Sequence, residues 1–303
     1  MQGPLCGVRL ARAGHAVALI SRGQRAAELR DRGAIIEHPL TGNRQLMLLP
    51  LAEELTAATH ADLCLVSLRR ERLDGVLPAL NAARGIGRVV FMINHALGSS
   101  PLVVAFDRRR VVLGFPGAAG SIENGVDRSL EVAQQPTAIE ASAPDIKIVL
   151  KDVGFRLWLV QDMGSWLCRH VVFVTAVSGV LYEVGIDAPR LSSDSQRFAH
   201  SFWRYGRGAA MDRRGIVPPP TALRAIFQWV PLAFAALYRR RLLGSPRGER
   251  HFARQTRHAV KEMAALAADV RARLPNAAMP HLQWLYAAPL IGPRGPSHER
   301  CKH

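Results

Sequence analysis

The sequence predicts an α/β fold: a parallel sheet wound by helices on both faces, followed by an all-α carboxyl-terminal domain. Three observations predict it. Short apolar runs alternate with amphipathic helical patterns from residue 16 to about residue 150. From about residue 155 the apolar residues instead recur at helical spacing, in 157–185, 195–210, 221–241 and 251–273. The length, 303 residues, suffices for two domains of ordinary size. We therefore expect an α/β domain over 1–152, a helical domain over 153–286, and a disordered Gly- and Pro-containing tail over 287–303.

The elements follow in order. Gly3 and Gly7 open an amphipathic helix whose apolar face is Leu5, Val8 and Leu10, and Gly14 ends it. Residues 16–20, AVALI, read as a buried parallel strand. A polar, Arg-rich helix follows over 24–32. Strands are expected at 35–36 and 46–49, separated by the turn residues Thr41, Gly42 and Asn43. Residues 62–66 form a short apolar strand, and Leu73, Val76, Leu77 and Leu80 mark a helix face at spacings of three and four. The strand at 89–93 ends at Asn94 and His95. Residues 111–115 follow, and two further strands, 137–140 and 146–150, are expected to close the sheet. In the second half, Val217 and Pro218–Pro220 break the helical pattern. No internal repeat is visible.

The opening stretch carries the chemistry. A glycine-opened helix, a buried strand and then Ser21-Arg22 resemble the later part of a Rossmann-like, dinucleotide-binding βαβ unit. After the second strand of such a unit, an acidic residue accepts hydrogen bonds from a ribose 2′-OH, whereas an arginine suits a 2′-phosphate; Arg22 therefore points to NADP. The complete fingerprint is G-x-G-x-x-G after a strand, and only Met1 and Gln2 precede Gly3. We expect the first strand to be missing and the translation start to lie upstream. Ligands of doubly wound sheets sit at the carboxyl ends of the strands, which places Gly3, Arg22, Leu68-Arg69 and Asn94-His95 along one crevice; Gly3, Ser21, Arg22, Arg69 and Asn94 are the cofactor-binding candidates.

Composition narrows the partners. The formal net charge is +16, and only four of forty basic residues are lysine (147, 151, 261 and 302), so thirty-six are arginine. That bias reflects the base composition of coding DNA as readily as function, yet the positive field favours anionic ligands. Nucleic acid is not expected, because no basic block is interleaved with aromatics. Cys6, Cys64, Cys168 and Cys301 form no CxxC pair, so neither a metal site nor a disulfide framework is expected, and a cytoplasmic location fits. No signal peptide is expected, since the amino-terminal residues already read as helix. Residues 222–238 are interrupted by Arg224, Gln228 and Pro231 and fall short of the roughly 20 apolar residues of a membrane span.

These features together are similar to the ketopantoate reductase (2-dehydropantoate 2-reductase) family. The resemblance makes Gly3 the third glycine of the fingerprint and Arg22 the arginine for the NADP phosphate. It puts the family's lysine after D-L-x-L-V on Arg69, in Asp62-Leu63-Cys64-Leu65-Val66-Ser67-Leu68-Arg69. The family's Gln-Asn-Gly-x-Gly turn falls on Asn94-His95-Ala96-Leu97-Gly98, where Gly98 alone is kept in place. The helical half departs further. The family's W-x-K-L motif, whose lysine is the general acid, falls on Trp166-Leu167-Cys168-Arg169-His170, so Cys168 holds the lysine position. Val172 and Ala176 stand where the family has asparagines. The family's substrate-binding glutamate aligns loosely with Glu262, and its nearby serine has no clear equivalent.

Reduction of a 2-keto acid needs a proton donor for the developing alkoxide and a cation for the carboxylate. His170 is the candidate donor because its ordinary pKa lies near neutrality, Arg169 the candidate carboxylate clamp, and Glu262 the third catalytic candidate. The structural alternatives are a buried helix histidine, a solvated strand-end arginine and a solvated helix carboxylate. The expected activity is NADPH-dependent reduction of a small anionic keto acid, ketopantoate by resemblance, to its 2-hydroxy acid. An NADP-dependent reductase of another carbonyl substrate and an inactive nucleotide-binding homologue are the alternatives. A homodimer is the assembly kept open.

Overall fold

The structure, a computed structural model, describes residues 3–99, 102, 104, 106–131, 136–183 and 259–273. The expected helices at 195–210 and 221–241, the break at 217–220 and the tail at 287–303 lie outside the described residues. The chain divides into two compact units, Met1–Leu167 and Cys168–His303.

The first unit is mixed α/β. Helix α1, Gly3–Arg12, admits Pro4 because a first-turn residue needs no N–H for the helix ladder. It buries Leu5, Cys6, Val8 and Leu10. Strand β1, Leu19–Ile20, leads into α2, Gly23–Arg32. Then come β2 (Ala34–Glu37), β3 (Arg44–Met47), β4 (Leu51–Ala52) and β5 (His60–Val66). A short turn, Arg70–Arg72, precedes α3, Leu77–Ala82, and β6, Gly85–Met92. Strands β7 (Val111–Phe115), β8 (Ala118–Glu123), β9 (Val126–Glu131) and β10 (Thr137–Glu140) follow, then helix α4, Pro144–Asp152, and β11, Leu157–Val160.

Three sheets form. The largest has the order β11-β10-β7-β6-β5, parallel except between β10 and β7. Its central strands are covered on both faces, and their side chains divide by the period of two. Val89, Phe91 and Ile93 pack with Leu80, Phe106 and Trp166, whereas Val90 and Met92 pack with α1 and with Ile146 and Leu150 of α4. Val111 and Leu113 join the first cluster and Val112 the second. The doubly wound expectation is met in this layering. A second sheet runs β3-β2-β9-β8, and β1 pairs only with β4, in parallel. Neither β1 nor β5 carries a strand on its other side among the described residues.

Local readings need correction at four places. Residues 16–20 are not a buried strand: only Leu19–Ile20 is extended and paired, and Ile20 is exposed, because β1 has a strand on one side alone among the described residues. Residues 146–150 form part of α4, not a strand. Pro144 starts that helix, and Ile146 and Leu150, four apart, are its buried face while Ile148 is exposed. Residues 157–160, where the apolar spacing predicts the start of a helix, are strand β11, paired with β10. The β8–β9 hairpin was not anticipated. Asn124 and Gly125 both have positive φ, 50° and 82°, which is the conformation a two-residue hairpin turn requires and which Asn-Gly favours. Arg25 Nη1 of α2 donates to the Gly125 carbonyl at 2.8 Å and ties this turn to the first helices.

Of the second unit the structure describes the remainder of α5, Met163–Glu183, and α6, Val260–Arg273. Helix α5 starts at an Asp162 cap, whose Oδ1 accepts the Ser165 amide at 2.9 Å. No helix among the described residues is long and apolar enough to cross a membrane.

Gly33 gives the test of the α2–β2 turn. Its φ of 72° and ψ of −174° belong to a region only glycine occupies, and a Cβ there would lie 2.9 Å from the Met47 carbonyl oxygen. Gly33→Ala is expected to lower stability by about 1–3 kcal/mol, read from the midpoint of a denaturant titration.

Candidate functional site

The site begins where β5 and β6 end. Register pairing Val66 with Phe91 sets residues 67–69 beside residues 92–94 at one edge of the parallel sheet. A Cβ built on Gly3 would lie 4.0 Å from Ser67 Cβ, so α1 starts at the same edge. Its amino-terminal N–H groups have no partners within the helix and suit an anion brought to that edge. Arg69 is half-buried there, in extended backbone just before the Arg70–Arg72 turn. Arg70 is buried and pairs with Asp74 at 3.1 Å.

Asn94 and His95 cap β6. Asn94 is half-buried, and its Oδ1 is shielded from solvent with no hydrogen-bond partner among the described residues. A buried amide oxygen in that state costs about 1–3 kcal/mol, which makes it an acceptor available to a ligand. His95 is buried beside it. The turn ends at Gly98, against which α5 packs closely: a Cβ on Gly164 would sit 3.3 Å from Gly98 Cα. Substituting either residue by a larger one would push the strand-end turn away from the helix.

Ser21 and Arg22 occupy a second corner, at the end of β1. The Ser21 amide donates to the Ala52 carbonyl at 3.0 Å, extending the β1–β4 pairing. Arg22 stands at the N-cap of α2 in extended backbone, and the first turn of α2 contains no acidic residue. Arg22 Nε donates to the Glu53 carbonyl at 3.0 Å, and Arg30 Nη2 donates to Glu53 Oε1 at 2.6 Å. The corner therefore offers guanidinium groups and the positive end of a helix, an arrangement that favours a phosphate over an uncharged ribose.

The remaining candidates belong to the second unit. Cys168 and Arg169 are buried on α5, and His170 is half-buried against Phe173, with ring centroids 6.5 Å apart. Burial pushes the His170 pKa down to about 4, so its imidazole is neutral at neutral pH. Glu262 lies half-buried near the start of α6. Burial, with a smaller push from the Glu262 charge, raises the Tyr182 phenol to about 12, so α5 and α6 bring these two groups near one another. Among the described residues no His, Cys, Asp and Glu side chains gather as a metal site.

Sequence reasoning thus selected Gly3, Arg69 and Asn94, which share one sheet edge, and Ser21 and Arg22, which share the β1 corner. It places His95 on that crevice without a role, and it does not single out Ser67, Glu53 or Arg30. His95 was visible as the neighbour of Asn94. Nothing in the sequence marked Glu53, because its place depends on β4 pairing with β1.

A parallel sheet with glycine-opened α1 at its strand ends defines a Rossmann-like class of protein. Comparison with known families finds one match: residues 2–135 fit the model of the family described as ketopantoate reductase PanE/ApbA. No curated protein matches it. Solved structures resemble it in fold. A PanE/ApbA family ketopantoate reductase from Ralstonia eutropha JMP134 is 17% identical with a TM-score of 0.73, covering 93% of this chain and 92% of that one. A D-mandelate dehydrogenase with NADH and anilino(oxo)acetate is 12% identical with a TM-score of 0.71, covering 93% and 92%. A dimeric ketopantoate reductase from Staphylococcus aureus is 10% identical with a TM-score of 0.60, covering 84% of each chain. The family is one of NAD(P)-dependent keto-acid reductases, oxidoreductases acting on CH-OH groups.

His170 supplies a pH test. Its folded pKa of about 4 lies below the unfolded value of 6.5, so the unfolded chain takes up a proton first as pH falls. The stability tied to the neutral ring is complete above pH 6.5 and is lost between there and about 4, by at most about 3 kcal/mol. Denaturation midpoints measured across that window should fall less steeply for His170→Gln than for the wild-type chain.

Proposed function

We propose that the chain binds NADPH and reduces a small 2-keto acid, ketopantoate-like, to the 2-hydroxy acid. The observation that carries this reading is Arg22 at the N-cap of α2, directly after β1, with no acid in the following turn. An acidic residue at that corner would accept a ribose 2′-OH; a guanidinium meets a 2′-phosphate. Gly3 leaves the α1 amino terminus open to the pyrophosphate, Ser21 lines the ribose, and Arg69 adds a cation at the same sheet edge as Asn94. The orphaned Asn94 Oδ1 accepts a hydrogen bond from a donor on the coenzyme or the substrate. When bound, the reduced nicotinamide supplies the hydride.

Residues of the second unit act on the substrate in this reading. Arg169 holds the carboxylate through its guanidinium fork. His170 faces the developing alkoxide. A neutral imidazole donates a hydrogen bond to that oxygen, but only the imidazolium transfers a proton readily, so the His170 route strengthens as pH falls toward about 4. Glu262 orients a substrate hydroxyl. The substrate is small and anionic, the protein works in the cytoplasm, and a homodimer is its assembly.

Cys168 supports a second reading, in which the carbonyl substrate is not ketopantoate. The thiol is fully buried and cannot replace a lysine as general acid, and Val172 one turn on is apolar and buried. Purified chain incubated with NADPH and a panel of 2-keto acids and other carbonyl compounds separates the two. Turnover confined to non-keto-acid substrates would select the second, and tight NADPH binding without any turnover would mark a nucleotide-binding homologue.

Arg22→Gln tests the coenzyme assignment directly. It should weaken NADPH at least about ten-fold while leaving NADH within about two-fold, because one phosphate–guanidinium pair is lost. Equal losses for both nucleotides would contradict the assignment.

A further inference from the structure

Glu53 joins two guanidinium groups into a triad at the Arg22 corner: Arg22 bonds its main-chain carbonyl and Arg30 its carboxylate. The inference rests on the reading of Arg22 as the cation that meets the coenzyme phosphate. Strands β1 and β4 are parallel, with Leu19 opposite Leu51 and Ile20 opposite Ala52, so Arg22 and Glu53 leave the sheet side by side. Among the described residues Arg22 spends only Nε, on the Glu53 main-chain carbonyl at 3.0 Å, and its two terminal nitrogens are the ones that meet a ligand. The Glu53 carboxylate is engaged separately, by Arg30 Nη2 at 2.6 Å. Arg30 sits in the last turn of α2, and helical side chains lean toward the amino terminus, so its guanidinium reaches back along the helix to this corner.

The charges matter because of where they sit. Both side chains are about 60% exposed, 60% for Arg30 and 57% for Glu53, so neither is needed to fill the core. An unmasked carboxylate beside the adenine ribose accepts a 2′-OH and repels a 2′-phosphate. The Arg30 pair neutralises that carboxylate in place. We propose that Arg30, acting through Glu53, sets the coenzyme preference: with Glu53 masked, Arg22 takes the phosphomonoester on the 2′-oxygen, and with Glu53 unmasked the corner favours the unphosphorylated ribose. Arg30 is thus a specificity-determining residue one shell removed from the nucleotide, and Glu53 is the group through which it acts.

The test is a fluorescence titration of the full chain with NADPH and with NADH, for wild type, Arg22→Gln, Arg30→Gln, Glu53→Gln and the Arg30→Gln/Glu53→Gln double variant. Arg30→Gln should weaken NADPH about five-fold with NADH nearly unchanged, and Glu53→Gln should tighten NADPH about three-fold, the range expected for one exposed charge. The double variant should return close to the wild-type ratio, since the carboxylate and its mask leave together. A merely structural role for the pair would move both nucleotides alike. An unchanged NADPH-to-NADH ratio in both Arg30→Gln and Glu53→Gln, with Arg22→Gln still lowering it, overturns the triad and spares the Arg22 reading. A wild-type ratio in Arg22→Gln, or no binding of either nucleotide to the wild-type chain, overturns both.

Discussion

Burial of β6 on both faces is the constraint on which the first unit depends. Val89, Val90 and Phe91 are fully buried in succession, which a strand achieves only when helices cover each side of its sheet. The alternation sends Phe91 and Ile93 toward one layer and Val90 and Met92 toward the other. Burying one such side chain is worth about 1.5–3 kcal/mol, so a one-residue slip, which would exchange the two faces, is strongly disfavoured. Fixed register is what makes the strand ends dependable. Asn94 and His95 emerge at a defined height beside Ser67 and Arg69, and the same apolar layer holds α1 with Gly3 at that edge.

Function then concentrates where the covering stops. At the β5 and β6 ends the backbone leaves the sheet, a buried amide oxygen has no partner among the described residues, and helix α1 begins. At the β1 corner, arginines gather around one glutamate instead. Both places suit anions, in keeping with a family of NAD(P)-dependent keto-acid reductases. The strongly positive chain, +16 in formal charge, reinforces the attraction at long range without specifying the ligand.

How much was legible in the sequence follows from which interactions are local. Strands 89–93 and 111–115 are readable because a strand buried on both faces is a continuous apolar run, and 62–66 because its apolar residues are bounded by polar ones. Helix α1 was readable from its spacing. Residues 146–150 were misread because I-K-I-V-L alternates as well as it winds, and only Pro144 ahead of it, together with the burial of Ile146 and Leu150, decides for a helix. Residues 157–160 were misread for the opposite reason: their partner, β10, lies about twenty residues upstream and gives no local signal. The β8–β9 hairpin carried its signal in Asn124-Gly125 and was overlooked. Among site residues, Arg22 and Asn94 were legible because they terminate readable strands. Glu53 was not, because its role arises from strand pairing and from Arg30 reaching back along a helix.

The central claim is transfer of hydride from a phosphorylated nicotinamide coenzyme to a keto acid. The most direct measurement uses NADPH deuterated at the transferable position, incubated with the full chain and with ketopantoate among a set of small 2-keto acids, and analyses the products by mass spectrometry. The account predicts a 2-hydroxy acid carrying deuterium on its carbinol carbon, formed faster than with NADH. Absence of deuterated hydroxy acid from every keto acid, under conditions where the nucleotide is bound, would contradict it.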